Sequence, residues 1–466
     1  MKYAVLLLSL LACLTLTGCF NLSPGYIDPG LHTPMAVEYK EDQGWTSARA
    51  LAALDRGTWW EIFEDPSLNA LVAKANSANQ NIAVAAANLR QARAQIVVAR
   101  SALFPGVSLP ASLSRSGGEN RGPGSNWSYG LSAQWEISFW NALPALESAK
   151  AMAQASAADL AAMRLAVQAE LAQAYFQLRA LDSQRSLYDS TIKAYREAVR
   201  LTNSQFRGGM VTRADVAQAE AQLAQAEAQL AAVERQRAQT EHAVAILTGQ
   251  MPSSFSLERA DLQARVPQIP TAIPGTLLER RPDIAAAERR VAAANQQIGL
   301  ARAAWFPSLS LGASILEEGT AWLGASLYSW SVGPSAALEL FQGGRRLAES
   351  DAARAAYDAD VAAYRQAVLE AVKDVEDNLA ALRLLEKEAE AQDRAVRASR
   401  EALRLSMSQY RGGMVTYLQV VNNQATVLSN ERNAIDITGQ KLNAAVGLVK
   451  ALGGGWQKND IEAMLR

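Results

Sequence analysis

Cys19 carries the clearest chemistry in this chain. Leu16-Thr17-Gly18-Cys19 sets small residues immediately before a thiol close to the N-terminus, and a thiol there is a nucleophile that can be acylated. The only other cysteine is Cys13. Once a leader ending before Cys19 is removed, no thiol pair remains for a disulfide or a Cys-based metal site. Histidine occurs only as His32 and His242, which argues against a His-based catalytic or zinc cluster. No acid, base and nucleophile are spaced to converge on a pocket, so an enzyme is not expected. Glu220, Glu227, Glu234 and Glu241 recur at seven-residue spacing. They form either an ordinary solvated helix face or an acidic stripe lining a water-filled tunnel, and a tunnel wall is itself a solvated face. The net charge of −1 and the lack of a Lys/Arg run give no nucleic-acid face.

Lys2 followed by the apolar run Ala4 to Leu14 reads as a leader, too short for a membrane span of roughly 20 apolar residues. With Leu16-Thr17-Gly18-Cys19 it resembles the lipobox of bacterial lipoproteins, in which cleavage precedes the cysteine and its thiol and amine are acylated. An ordinary secretory leader with an incidental cysteine is the alternative. Phe20 rather than Asp after Cys19 favours the outer membrane by common sorting rules. The expected attached group is thus a covalent lipid on Cys19, with no cofactor and no metal. Beyond the leader no run of 18 apolar residues exists. A membrane crossing by this chain therefore needs strands closed into a barrel.

The elements that carry these residues are written twice. AVRLTNSQFRGGMVT (198–212) returns as ALRLSMSQYRGGMVT (402–416), and residues 82–109 return as 284–311. Each half runs through an Ala-rich helix, a Phe-Pro break, a strand, a Gly/Ser loop and a second strand. A very long helix, an Arg-Gly-Gly-Met turn and a returning helix follow. A repeat of this length is a duplicated half-chain, not a short-period solenoid. Leu160, Val167, Ala174, Leu181, Tyr188 and Tyr195 fall seven apart, and Val361, Val368, Val375, Leu382, Ala389, Val396 and Leu403 do the same. Val216, Leu223 and Leu230, then Val421, Leu428, Ile435, Leu442 and Val449, carry the period into the returning helices. A seam of this kind calls for coiled-coil partners. Residues 142–205 contain only one proline, Pro144, which is expected to start the first long helix. Pro282-Asp283 likewise suits a helix start, with Asp283 at the positive dipole end.

Four segments alternate instead. Strands are expected at 103–116, 126–140, 305–316 and 328–341. Val107, Leu109, Ala111 and Leu113, then Trp127, Tyr129, Leu131, Ala133 and Trp135, face away from Ser108, Ser112, Ser128, Gly130, Ser132 and Gln134. Leu309, Leu311, Ala313 and Ile315, then Trp330, Val332, Ala336 and Leu338, repeat the pattern. Apolar residues on one face and Ser/Gly/Gln on the other mark a membrane barrel wall, and Trp127, Trp135, Trp140, Trp305, Trp322 and Trp330 fit interfacial belts. Two amphipathic hairpins on a soluble core are the alternative. Four strands cannot close a barrel, so copies must associate; two would give eight strands and three would give twelve. The hairpin loops are expected at Ser116-Gly117-Gly118 to Gly122-Pro123-Gly124-Ser125 and from Glu317-Glu318-Gly319-Thr320 onward.

LLERRPDIAAAERRVAAANQQIGLARAAWFPSLSLGAS (277–314), Phe341-Gln342-Gly343-Gly344-Arg345-Arg346 and both Arg-Gly-Gly-Met turns resemble the outer-membrane efflux protein family. The likeness is to its TolC-like lipoprotein branch, which partners RND-type pumps, and it covers essentially the whole mature chain. It implies a mainly α fold with a small β part: a long α-helical coiled-coil barrel plus four strands per chain in a shared trimeric β-barrel. It implies an exit duct in the outer membrane, lipid-anchored and extending into the periplasm, that passively conducts drugs or other small toxic compounds. The implied partners are two further copies, a periplasmic adaptor (membrane fusion) protein, an inner-membrane RND-type transporter and outer-membrane lipid. Protein secretion and metal-ion efflux are the alternative duties. The division of the chain becomes 1–18 leader, 19–66 N-terminal anchored and equatorial segment, 67–250 first repeat, 251–273 linker, 274–452 second repeat and 453–466 tail. The tips and adaptor contacts would be Arg207, Gly208, Gly209, Met210, Arg411, Gly412, Gly413 and Met414, which read equally as plain helix-ending turns. The aperture candidates by the same resemblance are Asp215, Tyr410, Gln419 and Asn422. Gln419 and Asn422 stand where relatives often place aspartates, and the first half reads Asn141-Ala142-Leu143-Pro144 where relatives place a Gly-Arg pair. Arg213 or Arg411 would have to replace a missing basic partner near Val415.

Overall fold

The computed structural model describes residues 22–29, 39–41, 57–119, 121–263, 266–267, 280–320 and 326–465. Cys13, Cys19, His32 and Trp322 lie outside them. The heptad seams fold into two helical hairpins. The first is α3 (Phe139–Arg207) with α4 (Arg213–Leu247), and the second is α6 (Arg345–Arg411) with α7 (Tyr417–Ala451). At ~1.5 Å per residue α3 and α6 each run on the order of 100 Å, longer than any globular core could support. They are held instead by knobs from neighbouring helices: Leu160, Val167, Leu181, Tyr188 and Tyr195 on α3, and Val368, Val375 and Leu382 on α6, are buried. No helix among the described residues is long and apolar enough to cross a membrane.

Shorter helices complete the layer. α1 (Pro66–Ala78) is N-capped by Asp65, and α2 (Gln80–Ser101) and α5 (Pro282–Ala303) pack along the upper parts of α3 and α6. The start of α2 meets the end of α4, and the start of α5 meets the end of α7. At the first joint Asn79 caps α2 and donates to the Leu247 carbonyl at 2.8 Å. At the second, Arg281 reaches the Ala451 carbonyl at 3.3 Å while also gripping Asp283 (2.6 Å) and Asp374 (3.3 Å). Helix-end carbonyls need partners that the helix itself cannot supply, and each repeat supplies one side chain for the purpose. Gly249 (φ +68) and Gly453 (φ +91) make the joints possible, since a Cβ would meet the Ala78 and Arg280 carbonyl oxygens at 2.3 and 2.0 Å. The most specific-looking motif of the sequence, Arg280-Arg281-Pro282-Asp283, is thus a clasp, with Pro282 at the first helical position as expected.

Around the joints sits the main hydrophobic core, built on Trp59, Trp60, Phe63, Leu68, Tyr175, Phe176 and Ile461 of α8 (Asp460–Leu465). Below it buried Arg179, Asp182 and Arg237 form an ion cluster with half-buried Glu241, with Arg237–Asp182 at 2.7 Å and Arg237–Glu241 at 3.0 Å. Arg179 and Arg237 also donate to the Glu258 and Leu257 carbonyls, which pins the linker between the repeats.

The strands are β1 (Gly106–Ser108), β2 (Ala111–Gly118), β3 (Arg121–Glu136), β4 (Ser308–Gly319) and β5 (Ser326–Ala337). β1 and β2 are one strand broken at Leu109-Pro110, so the antiparallel order is β1/β2, β3, β4, β5. Their limits differ from the expected 103–116, 126–140, 305–316 and 328–341. Leu103 and Phe104 still donate to helical carbonyls of α2, and Trp305 and Phe306 do the same for α5, so each first strand starts only after its Phe-Pro break. The hairpin loops are shorter than expected. Ser116 pairs with Gly124, and Glu317, Glu318 and Gly319 pair with Tyr328, Leu327 and Ser326, because the ladders run on through residues that read as turn formers. α3 starts at Phe139, not at Pro144. The Ser138 carbonyl accepts from both Asn141 and Ala142, so the first turn forms upstream and Pro144 lies inside the helix.

Candidate functional site

Two places face outward with organised chemistry: the helical tips and the sheet. At the tips, both long helices end in the same motif. Met210 N–H bonds the Gln205 carbonyl at 2.9 Å and Gly209 (φ +72) bonds Phe206; Met414, Gln409, Gly413 (φ +73) and Tyr410 repeat this. The left-handed glycine after the cap and the six-to-one bond are what a Schellman ending requires. Arg207, Gly208, Gly209, Met210, Arg411, Gly412, Gly413 and Met414 are all exposed, and neither arginine has an ion-pair partner among the described residues. Met210 is 71% exposed and Met414 73%, so each tip presents an apolar thioether at its surface.

The aperture candidates separate into two pairs. Asp215 is taken up by a capping box: it accepts from Thr212 N–H at 2.9 Å, and Thr212 Oγ1 accepts from Asp215 N–H at 3.3 Å. Arg213 turns away to Glu220 at 3.7 Å. Tyr410 donates to Gln205 Oε1 at 2.7 Å and packs its ring 5.5 Å from that of Tyr417, which bonds Thr202 and is buried. Burial first, then the Asp215 carboxylate, raises the Tyr410 pKa, so its hydroxyl stays a donor. Gln419 and Asn422 are exposed on α7, apart from this latch. Gln205, Tyr417 and Thr202 were not among the expected site residues; only the juxtaposition of the two hairpin ends identifies them.

Above the tips the glutamate stripe of α4 is fully paired. Glu220 meets Arg213, Glu227 meets Arg196 at 2.8 Å, Glu234 meets Arg185 at 3.2 Å and Glu241 meets Arg237. Two of the four arginines, Arg185 and Arg196, lie across the hairpin on α3, so the stripe fastens the two helices together. The second repeat carries the same pair, Arg400–Glu431 (2.6 Å) answering Arg196–Glu227.

The sheet has two chemically distinct faces. On one, Val107, Leu113, Tyr129, Leu131, Ile315, Trp330 and Val332 are exposed in adjoining rows. On the other, hydroxyl pairs bridge the strands: Ser108–Ser132 (2.7 Å), Ser112–Ser128 (2.8 Å), Ser310–Ser335 (2.7 Å) and Ser314–Ser331 (2.9 Å). One row, Ser108-Ser132-Ser314-Ser331, crosses β1, β3, β4 and β5. At the foot of the sheet residues 22–26 lie along α5. Arg302 donates to the Leu22 carbonyl at 3.1 Å, Asn295 to Pro24 at 2.9 Å, and Tyr26 reaches Glu288 at 2.9 Å.

The sequence model of one family, described as outer membrane efflux protein, matches residues 71–250 and 273–454. The pyoverdine export outer membrane protein OpmQ of Pseudomonas aeruginosa is 31% identical, over 97% of each chain. OprJ, an outer membrane protein of the same species, is 32% identical over 97% of this chain and 96% of its own. The toluene efflux pump outer membrane protein TtgC of Pseudomonas putida is 30% identical over 98% and 97%. Among solved structures, the outer-membrane channel OprN superposes with a TM-score of 0.84 at 31% identity, covering 93% of this chain and 99% of that one. The open state of the MtrE outer membrane channel of Neisseria gonorrhoeae gives 0.81 at 30% identity, covering 94% and 98%.

Proposed function

Because the chain belongs to the outer membrane efflux protein family, we propose that it acts as one protomer of a homotrimeric exit duct. In this reading it is lipid-anchored at Cys19 and conducts small toxic compounds handed to it by an inner-membrane RND-type transporter and a periplasmic adaptor. The chain's place is in the outer membrane, as the channel component of an efflux system. One observation carries the assembly: the sheet ends in two unpaired edges, β1/β2 and β5, and exposes both faces. Open edges are not tolerated in hydrocarbon, so they must be satisfied by other copies. Eight strands give a barrel whose interior side chains fill, whereas twelve leave a bore, which favours three copies over two. The serine face then lines water and the apolar face meets lipid.

The strap at residues 22–26 supports the anchor. Leu22 is held beside Arg302, a short step from the start of β4 at Ser308. Cys19 lies three residues earlier in the sequence, outside the described residues, and three residues span at most about 10 Å, so an acyl group there would be tethered near that level. Replacing Cys19 by Ser should abolish labelling by a fatty-acid probe while leaving assembly intact; retained labelling would refute the anchor. For the cargo, accumulation of dyes and drugs should rise in energised cells lacking the gene and fall on its restoration. Unchanged accumulation with a secreted protein lost from the medium would assign the duct to protein export instead.

A further inference from the structure

Among the described residues of the rows from Glu136 to Ser128, the hydroxyl-bearing face of the sheet is charged in only two places. Reading its rows upward from the helices, Glu136 stands beside Ser310 and Ser335, then Gln134 beside Gly312 and Gly333. The full serine row follows, then Gly130 with Leu316 and Ser329, and finally Ser128 with Glu318 and Leu327. Among the described side chains of these rows there is no lysine or arginine. Glu136 and Glu318 are both exposed, and neither has a hydrogen-bond or ion-pair partner among the described residues. From Ser310, the partner of Glu136, to Glu318 is eight residues along β4, or roughly 27 Å at ~3.4 Å per residue.

We propose that Glu136 and Glu318 are the charge filter of the sheet-lined part of the duct: two carboxylate rows that bracket a neutral, hydroxyl-lined tube and favour cationic over anionic solutes. The inference rests on the duct reading above, which makes this face the lumen and repeats each carboxylate three times around it. Low-dielectric walls focus the field of such rings and raise the local cation concentration. Their reach is about 8 Å in physiological salt and about 3 Å at 1 M, so the bias should weaken as salt rises. The serines between them bond one another across strands, which leaves the tube without fixed charge to oppose the two ends. Glu317 supplies an internal contrast. It is the immediate neighbour of Glu318, yet it points to the apolar face and accepts from the Tyr129 hydroxyl at 2.6 Å.

The test is the reversal potential of the full-length lipidated protein in a planar bilayer under a potassium chloride gradient. The wild type should be cation-selective. Glu136→Gln and Glu318→Gln should each lower the cation-to-anion permeability ratio, together by about two-fold or more at low salt and by little at 1 M. Glu317→Gln should keep the wild-type ratio. A conducting double variant with the wild-type reversal potential, or an anion-selective wild type, would overturn the filter and leave the duct standing. A wild type that gives no conductance would overturn the duct, and the filter with it. Should the double variant not assemble, either single variant that conducts with an unshifted ratio overturns the role of that residue.

Discussion

Tyr410 and Gln205 join the ends of two hairpins through one hydrogen bond of 2.7 Å, and a single neutral bond is worth about 0.5–1.5 kcal/mol. That is small enough for a partner to undo and large enough to bias a closed tip. Tyr410→Phe removes the donor and keeps the ring against Tyr417. Single-channel recordings should then show the open state enriched about two- to ten-fold; an unchanged open probability would reduce the bond to passive packing. Glu288 works differently. It is buried and bonded to Arg289, to Lys458 at 2.7 Å and to Tyr26, so it ties α5 to the N-terminal strap and the C-terminal tail. Burial alone pushes its pKa up, but the bonds and charges of Lys458 and Arg289 outweigh this and hold it below the usual carboxylate value. The contribution of these Glu288 contacts is therefore complete above an unfolded pKa of ~4.3 and is lost as pH falls through the lower folded value. Glu288→Gln should cost about 1–3 kcal/mol at neutral pH. It should also flatten the acid limb of a melting-temperature profile; an acid limb as steep as the wild type's would place the pH dependence elsewhere.

At the scale of elements, the two faces of each strand make opposite predictions for adjacent residues. Leu131, on the apolar face, pairs with Ile315, while Ser132 pairs with Ser314 on the hydroxyl face. Leu131→Lys should therefore cost ~2–4 kcal/mol if the row lies near the membrane midplane. Ser132→Lys should assemble normally, with heat-stable oligomer on gels as the readout; the reverse ranking would invert the sheet. Those faces were legible in the sequence because alternation survives any shift of strand ends by two or three residues. The ends themselves were not, since Gly118 and Glu318 look like turn residues and only the cross-strand register shows them paired. Helix partners were half legible: the seam from Leu160 to Tyr195 announced a neighbour. The residues that meet Glu227 and Glu234 emerged only when α3 and α4 were laid side by side. Pro144 misled because Ser138, a good acceptor just upstream, starts the helix before the proline can.

The whole molecule is one segment of a closed wall, and its copy number is a matter of geometry. Each protomer presents β1/β2 on one side and β5 on the other, so the contact between copies joins unlike edges and generates a ring when the rotation closes. Residues that meet across that contact must share a face, because a one-residue slip would send the serine side into lipid. A cysteine at Ser112 of β2 should therefore cross-link to one of Ser329, Ser331 or Ser335 of the neighbouring β5 when these are replaced in turn. It should not link to Trp330 or Val332, which lie on the other face. The background is low, since the sequence has no cysteine after Cys19. In a ring of three, oxidation of the matched double-cysteine chain yields covalent dimers and trimers and stops there, whereas a two-copy ring stops at dimers and an open array continues past three. A ladder ending at dimers would refute the twelve-stranded wall, and with it the bore that lets the serine face carry cargo.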